Sequence, residues 1–125
     1  MIKFQELLGK TLTSANGVVG SDEIVFITNE GKSFKLYHYQ ECCEDVLIES
    51  IVGDLSDLIG TPILLAEESS SGETPDGFEH EYEPESQTWT FYKLATIKGY
   101  VDIRWFGSSN GYYGESVDFE EIPND

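Results

Sequence analysis

Apolar and polar residues alternate with a period of two through much of this chain. The alternation is densest from Thr88 to Ile122, TWTFYKLATIKGYVDIRWFGSSNGYYGESVDFEEI. β-branched and aromatic side chains dominate there, which suits the pleated surface of a sheet. Lys98-Gly99 and Asn110-Gly111 interrupt the run as turn dipeptides, Asn-Gly because both residues tolerate positive φ. The pattern predicts a three-strand antiparallel meander. A two-residue loop at Lys98-Gly99 sets Ile97 opposite Tyr100, Leu94 opposite Ile103, Tyr92 opposite Trp105 and Thr96 opposite Val101. One face is then nearly all apolar. The other carries Trp89, Phe91, Ile97 and Phe106 with Lys93, Asp102 and Arg104. A bulge between Gly107 and Gly114 is expected to bring Val117 and Phe119 inward.

Upstream, Glu23–Thr28 and Ser33–Tyr39 form a hairpin across Glu30-Gly31, with Val25 facing Leu36 and Ile27 facing Phe34 on the core side. His38 falls at the far end of that face, opposite Glu23. Leu12–Val19 is a weak, glycine-interrupted strand, Val46–Val52 a buried-type strand, and Ile63–Ala66 a further one. Two short helices are expected. Ile2–Leu8 is stopped by Gly9, and Leu55–Ile59 is capped by Asp54 and stopped by Gly60. Gly9-Lys10-Thr11 resembles the end of a phosphate-binding loop, but Phe4 stands where its first glycine belongs.

Residues 67–87, EESSSGETPDGFEHEYEPESQ, break the alternation and mix acids with Ser, Gly and Pro. Such a stretch is either solvated and disordered or a partner-binding loop anchored by Phe78 and Tyr82. The whole predicts an α+β fold: a twisted antiparallel sheet of six to eight strands with two short helices. It reads as a single domain over residues 1–125, with a flexible acidic loop at about 68–87.

Charge narrows the function. The formal net charge is −17, from 24 acids against 7 lysines and arginines. That excess opposes direct binding to nucleic acid or an anionic membrane and favours a cationic partner, commonly the basic groove of a protein. Solubility alone is the plainer reading. The N-terminus lacks the long apolar core of a signal peptide, and no run approaches the ~18 apolar residues of a membrane span.

Two clusters carry candidate chemistry. Arg104, the only arginine, sits among aromatics beside Asp102. A stacked guanidinium oriented by a carboxylate can grip a carboxylate or phosphate. The plainer reading is an Arg104–Asp102 ion pair at the edge of a covered sheet. Tyr100, Phe106, Tyr112 and Tyr113 complete this candidate binding face. In HYQECCED, the atoms of His38, Cys42 and Cys43 are of metal-ligand type, with Glu41, Glu44 and Asp45 close by. Adjacent cysteines converge poorly on one tetrahedral ion, and the carboxylates oppose a thiolate. No disulfide framework is expected, both cysteines read as reduced and metal-free, and a reducing cytosol follows. No Ser-His-Asp order, HExxH, CxxC or nucleotide motif supports catalysis, so a non-enzyme without cofactor is expected.

The segments HYQECCEDVLIESIVGDLSDLIGTPILLAEE and TWTFYKLATIKGYVDIRWFGSSNGYYGESVDFE resemble a family of small proteins found mainly in phages and prophages, catalogued as a domain of unknown function. The resemblance runs from about residue 5 to 121 and leaves the acidic loop as the variable part. It implies a phage-encoded accessory protein acting in the bacterial cytoplasm, a class that often includes inhibitors of host defence. The first functional reading is therefore an acidic inhibitor that occupies a basic, nucleic-acid-binding surface of a host or defence protein. The second is a small-ligand binder using the aromatic Arg104 face, and the third a metal- or cysteine-dependent enzyme at His38, Cys42 and Cys43.

Overall fold

In the computed structural model, which describes residues 2–80, 84–111 and 114–123, the alternating stretches become eight antiparallel strands. They are β1 (Leu12–Asn16), β2 (Glu23–Thr28), β3 (Ser33–Tyr37), β4 (Asp45–Val52), β5 (Leu65–Ser71), β6 (Ser86–Thr96), β7 (Gly99–Ser109) and β8 (Asp118–Ile122). Two four-stranded sheets result, ordered β1-β2-β3-β8 and β4-β7-β6-β5. Their facing sides share one core. The first sheet gives Ile24, Phe26, Phe34, Leu36 and Phe119, and the second gives Val46, Ile48, Tyr92, Leu94, Val101, Ile103 and Trp105. This is a β-sandwich.

The expected α+β class is overturned: 52% of the described residues are strand and 7% helical. The two expected helices are single 3-10 turns, Phe4–Leu7 and Leu55–Leu58. Neither is long enough to repay the cost of nucleating an α-helix. Both act as plugs instead, burying Phe4, Leu7 and Leu58 in the core. Asp54 does cap its turn, accepting from Ser56 N–H at 2.9 Å.

Two registers differ from the sequence reading, with opposite consequences. In β2–β3, Ile24 pairs with Leu36 and Phe26 with Phe34, one residue from the expected register. Ile24 and Phe26 are therefore buried, and Val25 and Ile27 face outward. The cause is a three-residue turn closed by Thr28 N–H on Lys32 C=O, with Gly31 at positive φ. In β6–β7 the turn residues are Ile97 and Lys98, not Lys98 and Gly99, so Leu94 pairs with Val101 and Tyr92 with Ile103. That slip is two residues, and a period of two leaves each side chain on its expected face.

The third strand of the expected meander does not join its neighbours. β4 already occupies the free side of β7, so the chain crosses to the first sheet, where β8 pairs with β3. This crossing, rather than a bulge, turns Phe119 into the core with Val117 packed against it. Gly107 allows the return segment to pass closely, since a Cβ there would lie 2.8 Å from Glu115 O. The buried Glu115 carboxylate accepts the hydroxyls of Thr88, at 2.9 Å, and Ser109.

His38 ties the two crossovers together. Its Nδ1 lies 2.8 Å from Ser116 O, before β8, and its Nε2 lies 3.1 Å from Glu44 Oε1, before β4. Both partners are acceptors, and only a ring protonated on both nitrogens donates to each. The buried Glu44 carboxylate also accepts from the N–H of Glu41 and Cys42. These bonds, Glu41's foremost, draw its pKa down to about 2.

Candidate functional site

The outer face of the second sheet is a grid of side chains set by the strand registers. Crossing from β4 through β7 and β6 to β5, one row reads Ser50, Arg104, Phe91, Ser69, and the next reads Val52, Asp102, Lys93, Glu67. Together they line an open trough of about 540 Å³. That volume matches the space a small organic ligand needs, so the trough is the candidate site.

One end of the trough is walled by aromatics. Trp89 lies on this outer face yet is 0% exposed. Phe106, its cross-strand neighbour, has its ring centroid 4.5 Å away, and Phe78 stands edge-on to Trp89 at 4.9 Å. His80 closes against Phe78 at 5.0 Å and Phe106 at 5.5 Å. The acidic stretch expected to be a loose loop is thus largely placed. Residues 67–71 belong to β5, Ser86 and Gln87 begin β6, and Phe78 and His80 cover the sheet. Thr74 fixes the arm from behind, with its hydroxyl 2.8 Å from His80 Nε2 and 3.1 Å from Gln87 Oε1. Burying an indole on an outer sheet face supplies the driving force for this order.

Arg104 sits where wall and trough meet. Its guanidinium carbon lies 5.3 Å from the Trp89 ring centroid, a cation–π contact. The expected pairing with Asp102 is wrong. Arg104 Nε donates to Glu49 Oε2 at 2.5 Å, while Asp102 faces Lys93 at 3.9 Å. Residues two apart on a strand share a face but stand ~7 Å apart, whereas a cross-strand neighbour is nearer. Glu49 reaches Arg104 across the β4–β7 pair, at the point where the register shifts between Ile48 and Ser50.

Of the other residues expected at this face, Tyr100, Asp102, Arg104 and Phe106 do lie in line on the outer side of β7, with Tyr100 largely exposed near the hairpin tip. Tyr112, Tyr113 and Tyr82 lie outside the described residues. Sequence reasoning missed Glu49, because no local pattern announces that β4 pairs with β7. It placed Trp89 on the right face but did not foresee its lid, although Phe78, the one large apolar residue described within the acidic arm, was the available signal.

The HYQECCED cluster takes another role. Cys42 and Cys43 are bonded to each other as a disulfide, against the expectation of two thiols. Neighbours are tethered by the chain, and their bond closes no loop, so it adds none of the framework that distant pairs supply. With both sulfurs bonded, neither is a thiolate. His38 is committed to Glu44 and Ser116. Among the described residues no three metal-ligating side chains converge, and no helix is long and apolar enough to cross a membrane.

No curated protein and no solved structure matches the chain. A family model matches residues 5–119, nearly the whole sandwich from its first plug to Phe119. The chain belongs to the family described as a domain of unknown function (DUF7448).

Proposed function

We propose that this protein is an acidic binding protein of phage type, whose carboxylate-rich surface occupies the basic, nucleic-acid-binding surface of a host or defence protein. The observation that carries the reading is the fixed acidic arm. Residues 67–80 hold five acids and no lysine or arginine, and this part of the arm is pinned to the sheet through Phe78 and His80. A pinned arm presents its charges without the ordering cost that a disordered one bears on binding. The setting proposed with it is a bacterial cytoplasm, and the activity proposed is binding rather than catalysis.

The test is capture from bacterial lysate by the immobilised protein at about 50 mM and about 500 mM salt, followed by competition with DNA. Captured proteins that release at high salt and yield to DNA support the reading. A variant with Glu73, Asp76 and Glu79 changed to glutamine should then lose capture. Salt-insensitive capture indifferent to DNA overturns it.

A second reading rests on the trough. Arg104, held by Glu49 and Trp89, presents the rest of its guanidinium beside Phe91, Ser50 and Ser69. That set suits a small molecule with a carboxylate or phosphate next to an apolar ring. Its binding would tolerate salt and vanish in Arg104→Met. Titration with benzoate and phenyl phosphate, followed by amide shifts of β6 and β7, separates it from the first reading.

A further inference from the structure

We infer that the free edge of β5 is a docking line for an extended cationic segment of the partner, which adds to the second sheet as a fifth strand; this rests on the acidic-surface reading above and names the partner's part. A four-stranded sheet has two edges, so the sandwich has four. The β1 edge is closed by bridges from Thr11 to Pro62 and Leu12 to Ile59, and by Gly60 N–H on Leu12 C=O at 2.9 Å. The β4 edge is closed at its centre, where Ile48 C=O accepts from Gly20 and Ile48 N–H donates to Ser21, at 2.8 and 2.9 Å. Among the described residues, the outward sides of β5 and β8 show no such bonds.

β5 lacks the bulge, proline and lysine that blunt an edge against a basic strand, although the turn Phe4–Leu7 packs near it. The strand pairs with β6 over all seven residues of LAEESSS. Side chains at Ser69, Ser70 and Ser71 are small and leave room for those of an incoming strand. Glu67 points to the trough and Glu68 to the inner side, because their cross-strand partners Lys93 and Tyr92 do.

The free edges lie together. A cleft of about 240 Å³ runs between Glu68, Ser69 and Ser70 of β5 and Ser116 and Val117 before β8. Glu68 is the carboxylate that lines it, and Asp118 follows Val117 at the start of β8. Tyr92 lies beneath this cleft, 1% exposed, and burial together with the neighbouring Glu68 and Asp118 carboxylates raises the pKa of its phenol. Glu68, at the edge of the cleft, suits a lysine or arginine head group.

Charge also selects the occupant. A second copy of this chain pairing through β5 would set glutamates against glutamates, and like charges directly opposed destabilise a ladder. A basic strand instead gains main-chain hydrogen bonds for affinity and carboxylate contacts for selection.

The test uses two synthetic peptides of about nine residues that alternate lysine and valine, one plain and one N-methylated at every second residue. Methylation removes strand pairing and keeps the charge. Calorimetry is expected to find the plain peptide bound at least about tenfold tighter. Amide hydrogen exchange should slow at residues 65–71, and Glu67→Lys with Glu68→Lys should abolish both effects. Equal affinity for the two peptides, or protection elsewhere, overturns edge addition and leaves the acidic-surface reading standing. No binding of either peptide together with salt-insensitive lysate capture overturns both.

Discussion

Arg104 on β7 and Glu49 on β4 meet on the outer face of the second sheet, at the point where β4 carries one residue more than its partner strand. Glu49 follows the inward-facing Ile48 and so has outward parity, and the register shift sets Ser50 as well as Glu49 on the side of Arg104. The β4–β7 pairing is thus what gives the only arginine its partner on the open face.

Removal of the pair should cost little but show coupling. Arg104→Met is expected to lower stability by about 1 kcal/mol, combining a partly exposed ion pair with a cation–π contact. A double-mutant cycle with Glu49→Gln should give a coupling of about 0.5–1 kcal/mol, against additivity within about 0.3 for Asp102→Asn. Urea unfolding of the single and double variants measures both. A larger coupling to Asp102 would contradict the geometry.

The aromatic lid should matter more than the sequence of the acidic arm suggests. Phe78→Ala is expected to cost about 1–2 kcal/mol, less than a core Phe→Ala because Phe78 is half-buried. In a domain of this size that lowers Tm by roughly 4–8 °C. Acrylamide quenching of tryptophan fluorescence should rise together with the loss, since Trp89 is fully covered in the native protein. Replacing residues 72–85 with a short Gly/Ser link removes Phe78 and His80 together and should destabilise further.

Acid should weaken the junction at His38. Glu44 has its pKa lowered from 4.5 to about 2, so the folded state holds its proton less tightly than the unfolded chain. The stability it contributes is present above about pH 4.5 and lost as pH falls toward 2. Thermal melts from pH 6 down to about pH 2 should show a steeper decline for the native protein than for Glu44→Gln, which begins less stable, with the curves converging at low pH. Parallel curves would deny Glu44 that role.

Gly107→Ala should destabilise by about 1–3 kcal/mol, because the added methyl meets backbone and must push the return segment away. Its Cβ would lie 2.8 Å from Glu115 O and 2.9 Å from Glu115 Cβ. Gly72→Ala, whose nearest contact is an ordinary 3.9 Å, is the control and should be near neutral. Chemical denaturation compares the two directly.

Local pattern by itself determined where the strands lie. Alternation marked β2, β3, β4, β6 and β7, and put Trp89, Arg104 and Phe106 on one face, because a period of two needs only neighbours along the chain. The Asp54 cap and the glycine stops were legible for the same reason. Tertiary structure decided everything that depends on a second strand. A three-residue turn in place of a two-residue one exchanged the buried set of β2 from Val25 and Ile27 to Ile24 and Phe26. Occupation of β7 by β4 sent β8 into the other sheet. Pairing of β4 with β7 gave Arg104 a partner 55 residues away in sequence, and a half-polar arm closed over Trp89 because an uncovered indole leaves apolar area in water. Both single-turn plugs looked helical because their apolar spacing was right, and only the sandwich set how short they are. Side-chain parity is a property of one strand, while register, order and cover are properties of pairs, and a sequence read without its partners holds only the first.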